Sequence, residues 1–143
     1  SIIQIFDSWA GLLPEKDLEY FVYKPTKSLV DFIKQKKTIS ICFPRNINNY
    51  KKFVDNVNPD IISIDYNVNP SIIRDTIDIP IQGGLDPKIL LQSKEAVRNE
   101  VTKYLKTFEK KRYIFNLGHG VLPETNPDMV RYLVDEVRSF NGQ

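Results

Sequence analysis

Sulfur and imidazole are scarce in this sequence: its 143 residues carry one cysteine, one methionine and one histidine. The lone Cys42 excludes an internal disulfide framework and fits a reducing compartment. One histidine and one cysteine fall short of a closed zinc site, so no metal is expected. An excess of one charge is also lacking. Lys and Arg total 20 against 18 Asp and Glu, a formal +2, which leaves no electrostatic footprint for nucleic acid. No apolar run approaches the ~18 residues of a membrane span, so no membrane partner is expected. The start at Ser1-Ile2-Ile3 has neither Met nor a basic leader segment and reads as the interior of something longer. What remains is an ordinary globular composition, 41% apolar and 27% charged, of a length that suits one domain.

Along the chain, short β-branched runs alternate with segments of helical period. Ser1–Phe6, Thr38–Phe43, Asp60–Asp65, Ile79–Gln82 and Tyr113–Leu117 read as strands. Leu18 to Tyr23 forms an amphipathic turn, and Pro25 opens a helix that runs to the basic end Lys34–Lys37. Tyr50, Phe53, Val54 and Val57 recur at helical spacing after the polar loop Asn46–Asn49. Asn69-Pro70, Asp86-Pro87, Ser93 and Asn126-Pro127 are helix starts, each a capping side chain, three of them followed by a proline suited to the first helical position. Lys36-Lys37 and Lys110-Lys111-Arg112 fall at helix C-termini, where the dipole accounts for them.

No Asn-Gly or Asp-Gly hairpin separates the strands, so the pattern implies parallel βα units with right-handed crossovers. Two closures satisfy it: an open doubly wound sheet, or part of an eight-stranded barrel, since a full barrel takes about 250 residues. In the barrel, the inward side chains are expected to include Ile3, Ile41, Ile62 or Ile64.

Either closure places sites where strands end. Those ends read Phe6-Asp7-Ser8, Phe43-Pro44-Arg45, Asp65-Tyr66, Gln82-Gly83-Gly84 and Gly118-His119-Gly120, each polar or glycine-rich. His119 lies between two glycines that permit close backbone approach, and an imidazole exchanges protons near neutral pH. Ser8 lacks the G-x-S-x-G elbow of a serine hydrolase, so Asp7, Ser8 and His119 do not spell a triad. Gly83-Gly84 resembles an anion cradle in composition but fits neither G-x-G-x-x-G nor a P-loop.

Three segments together carry a resemblance. Ile5-Phe6-Asp7-Ser8-Trp9-Ala10-Gly11, Gln82-Gly83-Gly84-Leu85-Asp86-Pro87 and the run Phe115 to Thr125 (F-N-L-G-H-G-V-L-P-E-T) are similar to the C-terminal part of the uroporphyrinogen decarboxylase family. Ile64-Asp65-Tyr66 falls where that family has an Asp-Trp pair. Gly84 stands in place of the family's usual Asn, and Asn46-Ile47-Asn48 in place of a Gly-Ala-Gly-like turn after Arg45.

The resemblance implies an α/β fold, the last five or so βα units of a TIM (β/α)8 barrel, with residues 1–143 as the C-terminal portion of one barrel domain. It implies a cytoplasmic lyase of haem and tetrapyrrole biosynthesis, a homodimer when intact, that decarboxylates the four acetate arms of uroporphyrinogen to give coproporphyrinogen without cofactor or metal. The family's substrate-binding residues map to Phe6, Ser8 and His119. Its catalytic aspartate, substrate arginines and cleft tyrosine precede the stretch that resembles this chain, so no catalytic residue is assigned, and the isolated chain is expected to be inactive and to self-associate. Two other readings remain: a corrinoid-linked methyltransferase-like barrel, and a catalytically silent tetrapyrrole-binding or interaction module.

Overall fold

A computed structural model describes residues 1–140 as five strands alternating with helices. The strands are β1 (Ile2–Asp7), β2 (Ile39–Pro44), β3 (Ile61–Ile64), β4 (Ile81–Gly83) and β5 (Tyr113–Ile114). The helices are α1 (Glu15–Leu18), α2 (Lys24–Gln35), α3 (Tyr50–Val57), α4 (Pro70–Thr76), α5 (Lys94–Phe108) and α6 (Pro127–Ser139). Among the described residues no helix is long and apolar enough to cross a membrane.

The helix starts follow from local chemistry. Asn49, Asn69, Ser93 and Asn126 each accept a hydrogen bond from a backbone N–H of the first turn, at 2.8 to 3.2 Å. Those N–H groups otherwise have no intrahelical partner. Asp86 does the same for the 3-10 turn Pro87–Leu91 through Lys88 N–H at 2.9 Å.

Pro25 does not open a new helix, contrary to the sequence reading. A π turn over Glu19–Tyr23 joins α1 to α2, and Lys24 N–H reaches back five residues to Glu19 O. Proline lacks an N–H and its ring crowds the carbonyl four residues back, and the wider turn accommodates both. β5 is likewise shorter than its apolar pattern. The Asn116 side chain accepts from Leu117 N–H at 2.8 Å, which interrupts the ladder, and the pairing resumes only as a single bridge between Leu117 and Leu85.

All four strand pairings are parallel, in the order β1-β2-β3-β4-β5. That order separates the two closures. A doubly wound sheet reverses direction at a switch point, whereas a barrel adds each strand beside the last. The sheet is therefore part of a TIM-type barrel. Same-handed crossovers to the next strand put every helix on one face. Cys42, Ile62, Ile64 and Ile81 point to that face and form one core with Val30, Phe53, Val57, Ile73, Val97, Val101 and Phe108.

The expected inward residues are corrected accordingly. Ile62 and Ile64 are fully buried under the helices, and Ile3 shares their side of the sheet by register. Only Ile41 lies on the opposite face, together with Gln4, Phe6, Phe43, Ile61, Ser63 and Gln82. That opposite face is concave. Gln82 on β4 donates to Gln4 Oε1 on β1 at 3.4 Å, with β2 and β3 between them. Side chains stand roughly perpendicular to a sheet, so two of them meet across three strand spacings only if the sheet curls.

Candidate functional site

The curl brings the two sheet edges together at the C-terminal ends of the strands. There a cleft of about 370 Å³ is lined by Gln4, Phe6, Ser8, Phe43 and Ser63 from one side and by Asn116, Leu117, His119 and Gly120 from the other. All three residues singled out by the resemblance line it: Phe6 and Ser8 at the end of β1, His119 in the loop after β5. It is not the roomiest hollow of the molecule. A larger one of about 530 Å³ lies between the starts of α3 and α4, but its lining is loop asparagines and helix side chains far from the sheet's concave face. A barrel's chemistry sits at the strand ends, which favours the smaller cleft.

Each member is held by a local device. Phe6 is 68% exposed, and its ring meets the edge of Phe43 at 6.1 Å and 76°, forming an apolar wall across β1 and β2. Gly118 sets the height of the His119 loop. Its N–H donates to Leu85 O at 2.7 Å, and a Cβ on it would overlap Tyr66 N and the backbone of Asp65. The loop thus rests directly on the backbone that follows β3, and His119 is carried over the cleft with its ring exposed.

The acids at the strand ends turn away from the cleft. Asp65 is fully buried, and its carboxylate accepts from Asn46 N–H at 2.7 Å, Tyr50 O–H at 2.8 Å and Asn67 N–H at 2.7 Å. It ties the β2–α3 loop to the β3–α4 loop. Burial, and then the negative charge of Asp65, push the Tyr50 hydroxyl well above the ordinary phenol range, so Tyr50 stays a donor. Asp7 accepts from Trp9 N–H at 3.2 Å, and Asp86 caps a turn. None of the three lines the cleft.

No triad forms. Among the described residues no hydrogen bond links Asp7, Ser8 and His119. Gly83 and Gly84 are not an anion cradle either. Both have positive φ, +88° and +107°, and both are buried. Their carbonyls accept from Tyr113 O–H at 2.9 Å and Tyr104 O–H at 2.6 Å. The glycines allow β4 to end against β3 and α5, since a Cβ on Gly84 would meet Ile64 at 3.0 Å and Tyr104 at 3.1 Å. Arg45 also lies outside the cleft lining. Its backbone N–H donates to Asp7 O at 3.0 Å and its carbonyl accepts from Gly11 N–H at 2.9 Å, which stitches the first two strand-end loops together.

Cys42 faces the helices, and burial pushes its thiol up to about 12, so it is a core residue and not a nucleophile. Among the described residues no three His, Cys, Asp or Glu side chains cluster as metal ligands would.

Sequence reasoning passed over Gln4, Ser63, Asn116 and Tyr50. For the first two a signal existed: single polar residues inside Ile-rich strands, at the same parity as Phe6 and Phe43. Tyr50 carried none, because helical period marks it as core and says nothing of its hydroxyl.

The parallel sheet with its consecutive strand order is consistent with what the chain is similar to. The family model described as uroporphyrinogen decarboxylase matches residues 1–140. The uroporphyrinogen decarboxylase of Rickettsia bellii is 42% identical over 148 residues, covering 98% of this chain and 42% of that protein. That of Rickettsia felis is 38% identical over 143 residues, covering 97% and 41%. The chain thus spans about two fifths of the length of the curated relatives it matches. A match over nearly every residue, from the Phe6–Ser8 end of β1 through the His119 loop to α6, places this chain in the uroporphyrinogen decarboxylase family.

Proposed function

We propose that these residues form the C-terminal portion of a single barrel domain and supply one wall of its tetrapyrrole cleft, in a lyase that converts uroporphyrinogen to coproporphyrinogen. The observation that carries this reading is the meeting of Phe6, Ser8 and His119 in one cleft, although they come from opposite edges of the sheet. Loss of CO2 from a pyrrole acetate requires the ring to be protonated first. The C–C bond to the carboxylate then breaks, its electron pair enters the cationic ring and CO2 leaves; protonation of the exocyclic methylene and loss of the proton first added to the ring then leave a methyl group on a neutral pyrrole.

The lining suits the binding half of that task. The Phe6–Phe43 wall gives the macrocycle an apolar surface, and Ser8 and His119 offer hydrogen bonds to its carboxylates. The acid that protonates the ring comes from outside this lining, because Asp7, Asp65 and Asp86 all face elsewhere. The same reading carries a cytoplasmic homodimer that works without metal or organic cofactor.

The test is turnover of uroporphyrinogen by the protein that carries this chain. His119→Ala is expected to impair decarboxylation with thermal stability preserved, since the ring is exposed. Ser8→Ala is expected to raise KM by more than it lowers kcat, as befits a positioning hydrogen bond, about 0.5–1.5 kcal/mol for a neutral pair and more to a carboxylate. Wild-type turnover in both variants would overturn the assignment.

A further inference from the structure

The floor of the cleft is made of amides and hydroxyls whose orientations are coupled. Gln82 Nε2 donates to Gln4 Oε1 at 3.4 Å and to Ser63 Oγ at 3.2 Å. Gln82 and Ser63 are both buried, at 5% and 3% exposure; Ser63 and Gln4 touch the cleft, and Gln82 stands behind them. An amide is planar, with its oxygen and nitrogen on opposite sides. With Gln4 Oε1 taken by Gln82, the Gln4 –NH2 is the end left for the cleft. Ser63 Oγ accepts from Gln82, so its own proton is left to donate. Asn116 repeats the pattern: its Oδ1 is taken by Leu117 N–H at 2.8 Å, which leaves its –NH2 for the cleft. Among the described residues no Asp, Glu, Lys or Arg lines this cleft.

We propose that Gln82 is a positioning residue that sets the polarity of this floor, turning Gln4 and Ser63 into hydrogen-bond donors for one acetate carboxylate of the bound tetrapyrrole. The inference rests on the functional reading above and adds to it how the acetate arm is held. Neutral donors suit an arm that must lose its charge. They orient the carboxylate without the strong ion pair that would stabilise it against departure as CO2. Gln4 lies two residues before Phe6 on β1 and Ser63 follows the register of Phe43 onto β3, so a macrocycle lying against the Phe6–Phe43 wall would have both groups beside it.

The experiment uses the protein that carries this chain and two fluorescent probes, uroporphyrin I, with four acetate and four propionate arms, and coproporphyrin I, with propionates only. Gln82→Glu is nearly isosteric but has no donor when ionised. It would accept from Ser63 O–H and from the Gln4 –NH2, reversing both groups. Uroporphyrin binding is expected to weaken roughly ten- to hundredfold, while coproporphyrin binding changes less than threefold. The uroporphyrin loss in Gln82→Glu should shrink as pH falls and the introduced carboxylate protonates, relative to wild type at the same pH, a dependence that a packing defect would not show. Gln82→Met, which removes the hydrogen bonds without reversing the floor, should lose less than Gln82→Glu.

Equal losses for both porphyrins, a pH-independent loss, or a Met variant as impaired as the Glu variant would each overturn the proposal. Should Gln82→Glu fail to fold, Gln4→Met reports on the same donor from the lining. Its selective loss of uroporphyrin supports the proposal, and unchanged binding overturns it. A wild-type protein that binds neither porphyrin overturns the functional reading itself, a result distinct from all of these.

Discussion

Replacing Tyr50 with Phe removes one oxygen and leaves the ring in place. That oxygen has two tasks in the structure. It donates to Asp65 Oδ2 at 2.8 Å and accepts from Asp65 N–H at 3.2 Å. The first is a hydrogen bond to a buried carboxylate, of a kind that contributes about 1.5–3 kcal/mol. Losing the second strands a buried N–H, a desolvation cost of roughly 1–3 kcal/mol. The two share one atom and do not add fully, so a loss of about 2–4 kcal/mol is expected. The carboxylate keeps Asn46 N–H and Asn67 N–H, which sets the upper end.

The assay, on the protein that carries this chain, is urea unfolding followed by far-UV circular dichroism. A Tyr50→Phe/Asp65→Asn double-mutant cycle should show coupling of about 1 kcal/mol or more. A single-variant loss below about 0.5 kcal/mol, or additive effects in the cycle, would refute the claim that this pair ties the two loops together.

Gly118→Ala should cost about 1–3 kcal/mol, because the added methyl meets the Tyr66 and Asp65 backbone and not a flexible side chain. An unchanged Tm would show that the His119 loop does not rest there. At the opposite end of the sheet, partial burial tends to raise the Asp60 pKa, but hydrogen bonds from Ser40 N–H at 2.8 Å and Ser40 O–H at 2.7 Å, aided by Lys34, hold it below the usual carboxylate value. A lowered folded pKa gives stability that is present above the unfolded value and lost as pH falls through the folded one. Urea midpoints should therefore drop on acidification below about pH 4, and Asp60→Asn should flatten that part of the profile; parallel profiles would refute it. Expressed by itself, the 143-residue chain is expected to self-associate and to lack decarboxylase activity. Among the described residues β1 and β5 each have one unpaired edge, and Ile2 and Ile3 on β1 and Leu29 and Phe32 on α2 are each at least 47% exposed. Light scattering that shows a monomer with turnover would contradict both.

Much of the local structure was legible in the sequence. Asn69, Asp86, Ser93 and Asn126 cap helices or turns because a short side-chain oxygen satisfies a free N–H within three residues, and no distant contact is needed. The five strand regions and the helix on which Tyr50, Phe53, Val54 and Val57 recur followed from period alone. The segments around Ser8, Gly83 and His119 together were enough to suggest the family. Strand ends were less legible. The competing Asn116 hydrogen bond that shortens β5 does not alter apolar pattern.

Sequence alone thus determined the alternation of strands and helices, the polar clusters at the strand ends and the family resemblance, because each depends on neighbours close in the chain. Tertiary structure decided the order of the strands, and with it the barrel over the doubly wound sheet. It also decided which face is which. β3 is buried on both sides, so its Ile-rich run has no polar alternation from which to read inward from outward, and a one-residue shift reverses every assignment. Ile62 and Ile64 consequently lie under the helices, and Ser63, between them, lies at the cleft. Asp65 reads as a polar residue at a strand end, yet its carboxylate is occupied by Asn46 N–H from the preceding loop, Tyr50 O–H from α3 and Asn67 N–H two residues on. A carboxylate's role depends on which groups surround it in space, and only the folded chain brings Tyr50 and Asn46 to this one.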